Sequence, residues 1–285
     1  MDLLAFALLL VLTGVFAGLL GALTGLGGAV VAIPVLVVAF GVPFPEAAGA
    51  GLLTILATSS TTGAAYVRDH LSDLRIGMFL EIATVPGALV GATATVFLVH
   101  AQLADALLIA LGCVLLALVP GTIARGRQPP YTVAAEPDDL SRSFGLSGAY
   151  YDEVRRERLT YNAARTRPAL GVMFVAGLVS GMFGIGGGVF KVLSLEHYLR
   201  LPMKVATATS NFMIGVTGAA GASVLLIAGY VNPVIGAPLA LGTAAGAVGG
   251  SQILPRLRNR TVRWLFVPVL AVLGVEVILR GLGIA

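Results

Sequence analysis

Long apolar stretches follow one another along the chain, and one extended polar segment interrupts them. A helix that crosses a bilayer needs about 20 mainly apolar residues. The stretches predict four spans before the polar segment and four after it, at residues 3–40, 47–66, 76–99, 103–121, 168–199, 203–231, 234–253 and 264–283. The pattern therefore predicts an all-α polytopic membrane protein. Its first half would be residues 1–121, its polar central loop 122–167 and its second half 168–285.

Composition supports a membrane protein. Of the 285 residues, 57% are hydrophobic and 11% are charged, and the mean hydropathy is +0.95. Soluble domains carry roughly a quarter charged residues, so this composition excludes a soluble enzyme, a disordered chain and a nucleic-acid-binding domain. The expected surroundings are a lipid bilayer, with no nucleic acid as partner. We assign the net charge of +4 to loops on the cytoplasmic side.

The two halves resemble each other. The segment GLLGALTGLGGAV at 18–30 is similar to GLVSGMFGIGGGV at 177–189, which lies 159 residues later. Downstream, short Thr-Gly-Ala-Ala and Gly-x-x-x-Gly-Ala matches recur 155 residues apart. Several matches in order, at a nearly constant distance, indicate an internal duplication.

The basic residues bear on how the halves are oriented. They cluster near 68–75, 125–167, 200–204 and 256–263. With four plain crossings per half, the last cluster would lie opposite the central loop, against the positive-inside rule. If the first apolar stretch of each half enters the membrane and returns at its glycine run, all four clusters lie on one face and the halves form an inverted repeat. We favour these Gly-broken, re-entrant first segments, with loops 122–167 and 255–263 cytoplasmic. Eight plain spans remain the alternative.

The glycine runs are the first candidate site. Glycine weakens a helix by about 1 kcal/mol relative to alanine, so clustered glycines predict a helix break. Backbone N–H groups at such a break attract anions. The alternative is close helix packing through small residues. The candidate substrate-binding glycines are Gly25, Gly27, Gly28, Gly184, Gly186, Gly187 and Gly188.

Hydroxyl and amide side chains follow each glycine run. Such groups can donate hydrogen bonds to an oxyanion without carrying charge. The alternative is that they bond to their own helix or to a neighbouring one. The candidates are Thr54 and Ser59 in the first half and Thr209, Ser210 and Asn211 in the second, which is the most polar run within the spans.

Two charged residues lie inside predicted spans. A charge in mid-membrane costs at least about 2.5–3.5 kcal/mol and usually faces a cavity or a partner. Lys191 could neutralise a bound anion, or it could snorkel to the interface or pair with Glu196. Glu81 is a candidate proton relay, and the alternatives are a structural ion pair or a position at the membrane interface. The sequence offers no closely spaced metal ligands.

These motifs together resemble the sulfite exporter TauE/SafE family. The resemblance rests on GLLGALTGLGGAVVAIPVL, GLVSGMFGIGGGVFKV and the A-x-A-T-S-N run after a short P-M-K-V turn, and it covers essentially the whole chain. It implies an inner-membrane transporter of small anions with no prosthetic cofactor. Sulfite, sulfoacetate and other organosulfonates are the implied substrates. Gly49–Leu52 stands where the family pattern suggests Thr-Ser, so the resemblance favours the second half as the main contributor of side chains.

We therefore predict a membrane transporter, an exporter rather than an enzyme, that holds a small sulfur-containing anion between the repeats. An anion channel and an intramembrane enzyme are the alternatives. No Ser/His, Cys/His or HExxH arrangement favours an enzyme. Which anion, which direction, which coupling ion and which oligomeric state are open at this point, and a homodimer is one assembly to test.

Overall fold

The computed structural model describes residues 3–124, 135–152, 156–253 and 259–284. Most of these residues are helical, and the helices pack into one bundle around a continuous apolar core. The elements are α1 (Leu3–Thr24), α2 (Ala29–Val38), α3 (Phe44–Arg68), α4 (Leu74–His100), α5 (Ala104–Ala124), α6 (Asp139–Phe144), β1 (Ser147–Asp152), β2 (Glu157–Asn162), α7 (Thr166–Phe183), α8 (Gly188–Leu193), α9 (Met203–Ile227), α10 (Pro233–Ile253) and α11 (Asn259–Gly281). A π-helical turn, Ser194–Tyr198, continues α8.

Five helices in the described ranges are long and apolar enough to cross a membrane. They are Leu4–Thr24, Leu74–His100, Thr166–Phe183, Met203–Ile227 and Pro233–Ile253. Two further apolar helices are shorter, Ala29–Val38 and Ala104–Pro120. The chain is therefore a multi-pass membrane protein, while the predicted total of eight spans stays a prediction.

The central polar loop contains secondary structure that the sequence analysis did not anticipate. Helix α6 precedes an antiparallel hairpin in which Ser147 pairs with Asn162 and Asp152 with Glu157. Tyr161 Oη donates to Asp73 Oδ2 at 3.0 Å, and Lys204 Nζ lies 3.1 Å from Asp152 Oδ1. These contacts hold the hairpin against one end of the bundle, where α4 and α9 begin. Residues 125–134 and 153–155 of this loop, and 254–258 of the second predicted cytoplasmic loop, lie outside the described residues.

Glycines set the helix packing. A β-carbon on Gly18 would lie 2.1 Å from the Thr243 carbonyl oxygen, and one on Gly177 would lie 2.1 Å from that of Thr84. The backbones of α1 and α10, and those of α7 and α4, therefore touch where a larger residue could not fit. Both of these pairs run parallel. By contrast, α3 runs antiparallel to α9, and α5 runs antiparallel to α11.

These contacts recur when both partners are shifted by 159 residues. Gly87 contacts the Phe174 carbonyl, and 159 residues away Gly246 contacts the Val15 carbonyl in the same way. Likewise, Gly91 contacts Leu178, and Gly250 contacts Leu19. Residues with a left-handed backbone conformation (positive φ) are also spaced 159 residues apart. The pairs are Gly25 and Gly184, Gly27 and Gly186, Gly41 and Arg200, and His70 and Gly229. The distance of 159 thus holds from α1 to α4 and from α7 to α10. The downstream distance of 155 in the sequence comparison was wrong by one helical turn, because glycines spaced four apart in α10 match at either distance.

Candidate functional site

Both glycine runs interrupt a helix in the interior of the bundle. Helix α1 ends at Thr24 and α2 begins at Ala29, while α7 ends at Phe183 and α8 begins at Gly188. The φ angles of Gly25 and Gly27 are +74° and +78°, and those of Gly184 and Gly186 are +72° and +78°. Other residues rarely adopt this left-handed region, so the sequence produces the breaks through these glycines.

The two breaks meet each other. A β-carbon on Gly188 would lie 2.5 Å from Leu26 Cα, so the second break passes directly over the first. The side chains of Ile55 on α3 and Ile214 on α9 cover Gly27 and Gly186 together. The structure therefore brings the candidate glycines of both halves into one central cluster.

At both breaks, several described backbone amides have no backbone carbonyl to bond to. After the first break, Val31 is the first amide of α2 that finds a backbone acceptor, the Gly28 carbonyl at 3.1 Å. After the second break, Lys191 is the first, and it donates to the Gly187 carbonyl at 3.1 Å. Within the described part of the chain, the amides just before Val31 and Lys191 therefore meet no backbone carbonyl. Such orphan amides are the groups that bind anions at helix N-termini.

Ser210 and Asn211 contact the first break from α9. Ser210 Oγ donates to the Gly25 carbonyl at 2.8 Å, and Asn211 Nδ2 donates to the Ala22 carbonyl at 3.2 Å. At the second break the corresponding position is Gly51, whose β-carbon would lie 3.1 Å from the Gly184 carbonyl. The second break thus lacks this hydroxyl, which agrees with the weaker first-half motif noted in the sequence.

The other predicted hydroxyl residues make their hydrogen bonds outside the glycine runs. Thr209 Oγ1 accepts a hydrogen bond from the Asp73 amide at 2.9 Å, so it lies at the hairpin end of the bundle. Thr54 Oγ1 donates to the Ala50 carbonyl of its own helix at 3.0 Å. Ser59 Oγ bridges α3 to α9 by donating to the Phe212 carbonyl at 3.3 Å. In this structure these three hydroxyls follow the alternative interpretation, in which Ser and Thr bond within and between helices.

Sequence reasoning missed Ser180, which lies one turn before the second break. Its hydroxyl is buried and has no hydrogen-bond partner among the described residues, and the same holds for Asn211 Oδ1. Buried polar atoms are almost always paired, so these two atoms are available to bond to a polar ligand. A signal was available in the sequence, since Ser180 is the polar position within the motif GLVSGMFGIGGGV and Gly21 occupies the matching place in the first half.

A buried ion pair lies next to the second break. Lys191 is 0% exposed, and its Nζ lies 3.2 Å from Oε1 of Glu81, which is 4% exposed. Thr217 Oγ1 lies 2.9 Å from both carboxylate oxygens and accepts a hydrogen bond from Lys191 Nζ. The snorkelling alternative for Lys191 is therefore wrong, because its ammonium lies in the protein interior. Its charge partner is Glu81 on α4, which the sequence analysis had treated separately.

Comparisons with known proteins connect the chain to membrane transporters. The model of the family described as sulfite exporter TauE/SafE matches residues 10–277. The chain is 27% identical to the probable membrane transporter protein YunE of Bacillus subtilis (strain 168), over 96% of this chain and 98% of that protein. It is 24% identical to the probable membrane transporter protein YjnA of the same organism, over 94% and 98% of the two chains. No solved structure matches. With a family match over nearly its whole length, the chain belongs to the sulfite exporter TauE/SafE family of membrane transporters.

Proposed function

We propose that the protein exports a small sulfur-containing anion, such as sulfite, sulfoacetate or another organosulfonate. The observation that carries the proposal is the meeting of two glycine breaks, each with unengaged backbone amides, in the interior of a membrane bundle. The family description supports a sulfur oxyanion as the class of substrate. The anion would lie between the breaks, near the Ser180 hydroxyl and on the side of Lys191.

The chemistry of these groups suits an oxyanion. Orphan amides at a half-helix N-terminus supply partial positive charge, and low dielectric strengthens each hydrogen bond to an anion. Ser210 and Asn211 would fix the shape of the first break, since both donate to its carbonyls. An inside-negative potential favours anion efflux by about 2.3 kcal/mol per charge per 100 mV, so export needs no tightly bound coupling ion.

We further propose that the two halves form an inverted repeat that supports alternating access. Matching helices α3 and α9 run antiparallel, as do α5 and α11, and the contacts recur at a distance of 159 residues. A two-fold relation of this kind gives the two halves interchangeable conformations, so the site can open to one side and then to the other. Ile55 and Ile214 are matching residues over the breaks, and they would separate when the site opens.

The hairpin end of the bundle is the proposed cytoplasmic face, in the plasma (inner) membrane. Arg75 donates to the Gly145 carbonyl at 3.1 Å, and Lys204 pairs with Asp152, so two separate basic regions meet the central loop at this end. Basic residues favour the cytoplasmic side of membrane proteins.

Transport in proteoliposomes tests the proposal. We expect labelled sulfite, sulfoacetate or thiosulfate to move through wild-type protein. Ser210→Ala should slow transport about fivefold, because the lost hydrogen bond contributes about 1 kcal/mol. Ser223→Ala is the matched control, because Ser223 lies on the same helix, is exposed and bonds to its own Ala220 carbonyl. Unchanged transport in Ser210→Ala would remove the site assignment.

The same vesicles separate a carrier from a channel. Saturable flux with counterflow, in which unlabelled anion on one side drives labelled anion uphill from the other, is expected for alternating access. Flux that grows linearly with concentration and shows no counterflow would favour the channel alternative.

A further inference from the structure

The ion pair of Lys191 and Glu81 breaks the similarity of the two halves. At the distance of 159 residues, Lys191 corresponds to Ala32, Glu81 to Ala240 and Thr217 to Thr58. The packing around the ion pair is like the packing around the matching alanines. Gly77 contacts Phe212 beside the pair, and Gly236 contacts Leu53 at the matching place. One place in the bundle therefore carries a buried acid and base, one from each half, where the matching place carries two alanine methyl groups.

Packing does not explain this difference. Taking two charges out of water is costly, and replacing a buried pair by apolar residues is often neutral or stabilising. The matching place, formed by Ala32 and Ala240, is apolar, and Ala32 is fully buried there. Ionisable residues inside a membrane are retained mainly for function. The pair lies next to the second break, because the Lys191 amide donates to the Gly187 carbonyl.

We propose that the Glu81 carboxylate is a tethered stand-in for the substrate anion, so that anion binding at Lys191 displaces Glu81 and loads it with a proton. This inference rests on the proposed function and adds its coupling. A carboxylate and a sulfonate or sulfite offer the same chemistry to an ammonium, namely anionic oxygen acceptors. They therefore compete for Lys191 Nζ. Thr217 Oγ1, which touches both partners, can bond to Glu81 in either protonation state.

The proton balance follows from burial. Once the anion replaces the carboxylate at Lys191, Glu81 would be an unpaired buried charge, and such a group neutralises instead. Its carboxylate takes one proton from the aqueous side to which the site is open. Release of the anion reverses the exchange, and Glu81 returns the proton as it pairs with Lys191 again. Each anion therefore travels with one proton.

Among the described residues, Glu81 is the acid that forms an ion pair with Lys191. Among the described residues, the helices that pack around Glu81 carry further titratable groups, and several of these have partners elsewhere. Glu46 bonds Asn232, Tyr66 donates to the Ala22 carbonyl, Arg75 to the Gly145 carbonyl, and Lys204 pairs with Asp152. The remainder lie near helix ends or in the π-helical turn, at Arg68, His100, Asp105, Arg167, Glu196 and His197.

The test measures anion and proton together in proteoliposomes that contain a trapped pH dye, with the membrane potential clamped. The probe is labelled sulfoacetate, whose sulfonate stays ionised, because sulfite can carry protons by itself. We expect wild-type protein to move about one proton per anion and to accumulate sulfoacetate against its gradient when a pH gradient is imposed. Apparent sulfoacetate affinity, measured on purified protein, should fall about tenfold for each pH unit of alkalinisation, as linkage of one proton requires.

Glu81→Gln should move sulfoacetate downhill only, with proton movement at background and affinity independent of pH. Glu276→Gln is the matched control, because it makes the same substitution in α11 and should leave both readouts as in wild type. The wild-type proton count and pH-linked affinity keep the test decisive even where Glu81→Gln folds poorly.

The outcomes are distinct. If the wild-type protein moves sulfoacetate without moving protons, and its affinity does not depend on pH, the proposed coupling is wrong and the proposed function still holds. Proton coupling that survives in Glu81→Gln would also overturn the proposed coupling. If wild-type protein moves none of the three sulfur anions, the proposed function fails and the coupling falls with it.

Discussion

The contact between α7 and α4 gives the sharpest prediction on the fold. A β-carbon at Gly177 would lie 2.1 Å from the Thr84 carbonyl oxygen and 2.9 Å from its carbonyl carbon. Ordinary contact begins at 3.4 Å, so Gly177→Ala forces the two backbones apart by about 1.3 Å. The obstacle is backbone rather than a flexible side chain, and Thr84 lies less than one turn from Glu81.

Gly171→Ala is the matched control on the same helix, because a β-carbon there meets nothing within 4 Å. Both variants gain about 1 kcal/mol of helix propensity. Overpacking costs typically about 1–3 kcal/mol, and only Gly177→Ala incurs it. We therefore expect Gly177→Ala to be less stable than Gly171→Ala by about 1–3 kcal/mol.

Thermal unfolding of the purified variants in detergent measures this difference, and transport reports the effect on the site. A shift of several degrees between the two midpoints is expected, together with slower transport in Gly177→Ala because α4 carries Glu81. Equal midpoints, or a more stable Gly177→Ala, would refute the close approach of α7 to α4. Gly18→Ala, which meets Thr243 at 2.1 Å, should behave like Gly177→Ala if the two halves pack alike.

Two further predictions concern charged groups. Lys191→Met should destabilise the protein by about 3–5 kcal/mol because Glu81 is left unpaired, and adding Glu81→Gln should recover most of that loss in the same unfolding assay; a double variant no more stable than the single one would contradict this. Asp138 joins the central segment to α7 by accepting from the Thr166 amide at 2.6 Å and from the Ser141 amide at 2.9 Å. Burial raises the pKa of Asp138, but the hydrogen bonds from Thr166 and Ser141 and the nearby Arg167 outweigh it, so the net pKa lies below the ordinary value. Its stabilisation is therefore full above pH of about 4 and is lost as the pH falls through the lowered pKa. The protection of residues 139–152 from hydrogen exchange, relative to the unfolded chain at the same pH, should fall as the pH drops below about 4 and should already be lower at neutral pH in Asp138→Asn. Protection that stays the same in both experiments would contradict the role of Asp138.

The glycine breaks could be predicted because they depend on local chemistry. Clustered glycines disfavour a helix wherever they stand, and apolar stretches of sufficient length favour a membrane whatever their neighbours. The structure accordingly ends α1 at Thr24 and α7 at Phe183, directly before the two runs. The burial of Lys191 and Glu81 was left open by the sequence, which allowed either residue to lie at the membrane interface, and it is the structure that places both in the interior.

The partners of these residues could not be predicted, because they come from distant parts of the chain. Lys191 and Glu81 are 110 residues apart, whereas Glu196 stands nearby in the sequence. Thr209 and Ser210 are neighbours, yet one accepts from the Asp73 amide and the other donates to the Gly25 carbonyl. Successive positions on a helix point in different directions, so only the packing of α9 decides which element each one meets. The hairpin of β1 and β2 was missed because its strands are short and polar.

The sequence by itself determined that this chain lies in a membrane, that two similar glycine runs break its helices and that it belongs to a transporter family. These properties follow from composition and from local backbone preferences. Only the tertiary structure decided that the two breaks meet and that matching residues of the two halves are 159 residues apart. It also decided that Lys191 of one half forms an ion pair with Glu81 of the other. Those facts depend on how closely helices approach, which is set by the glycines at each crossing and by the side chains that face one another there.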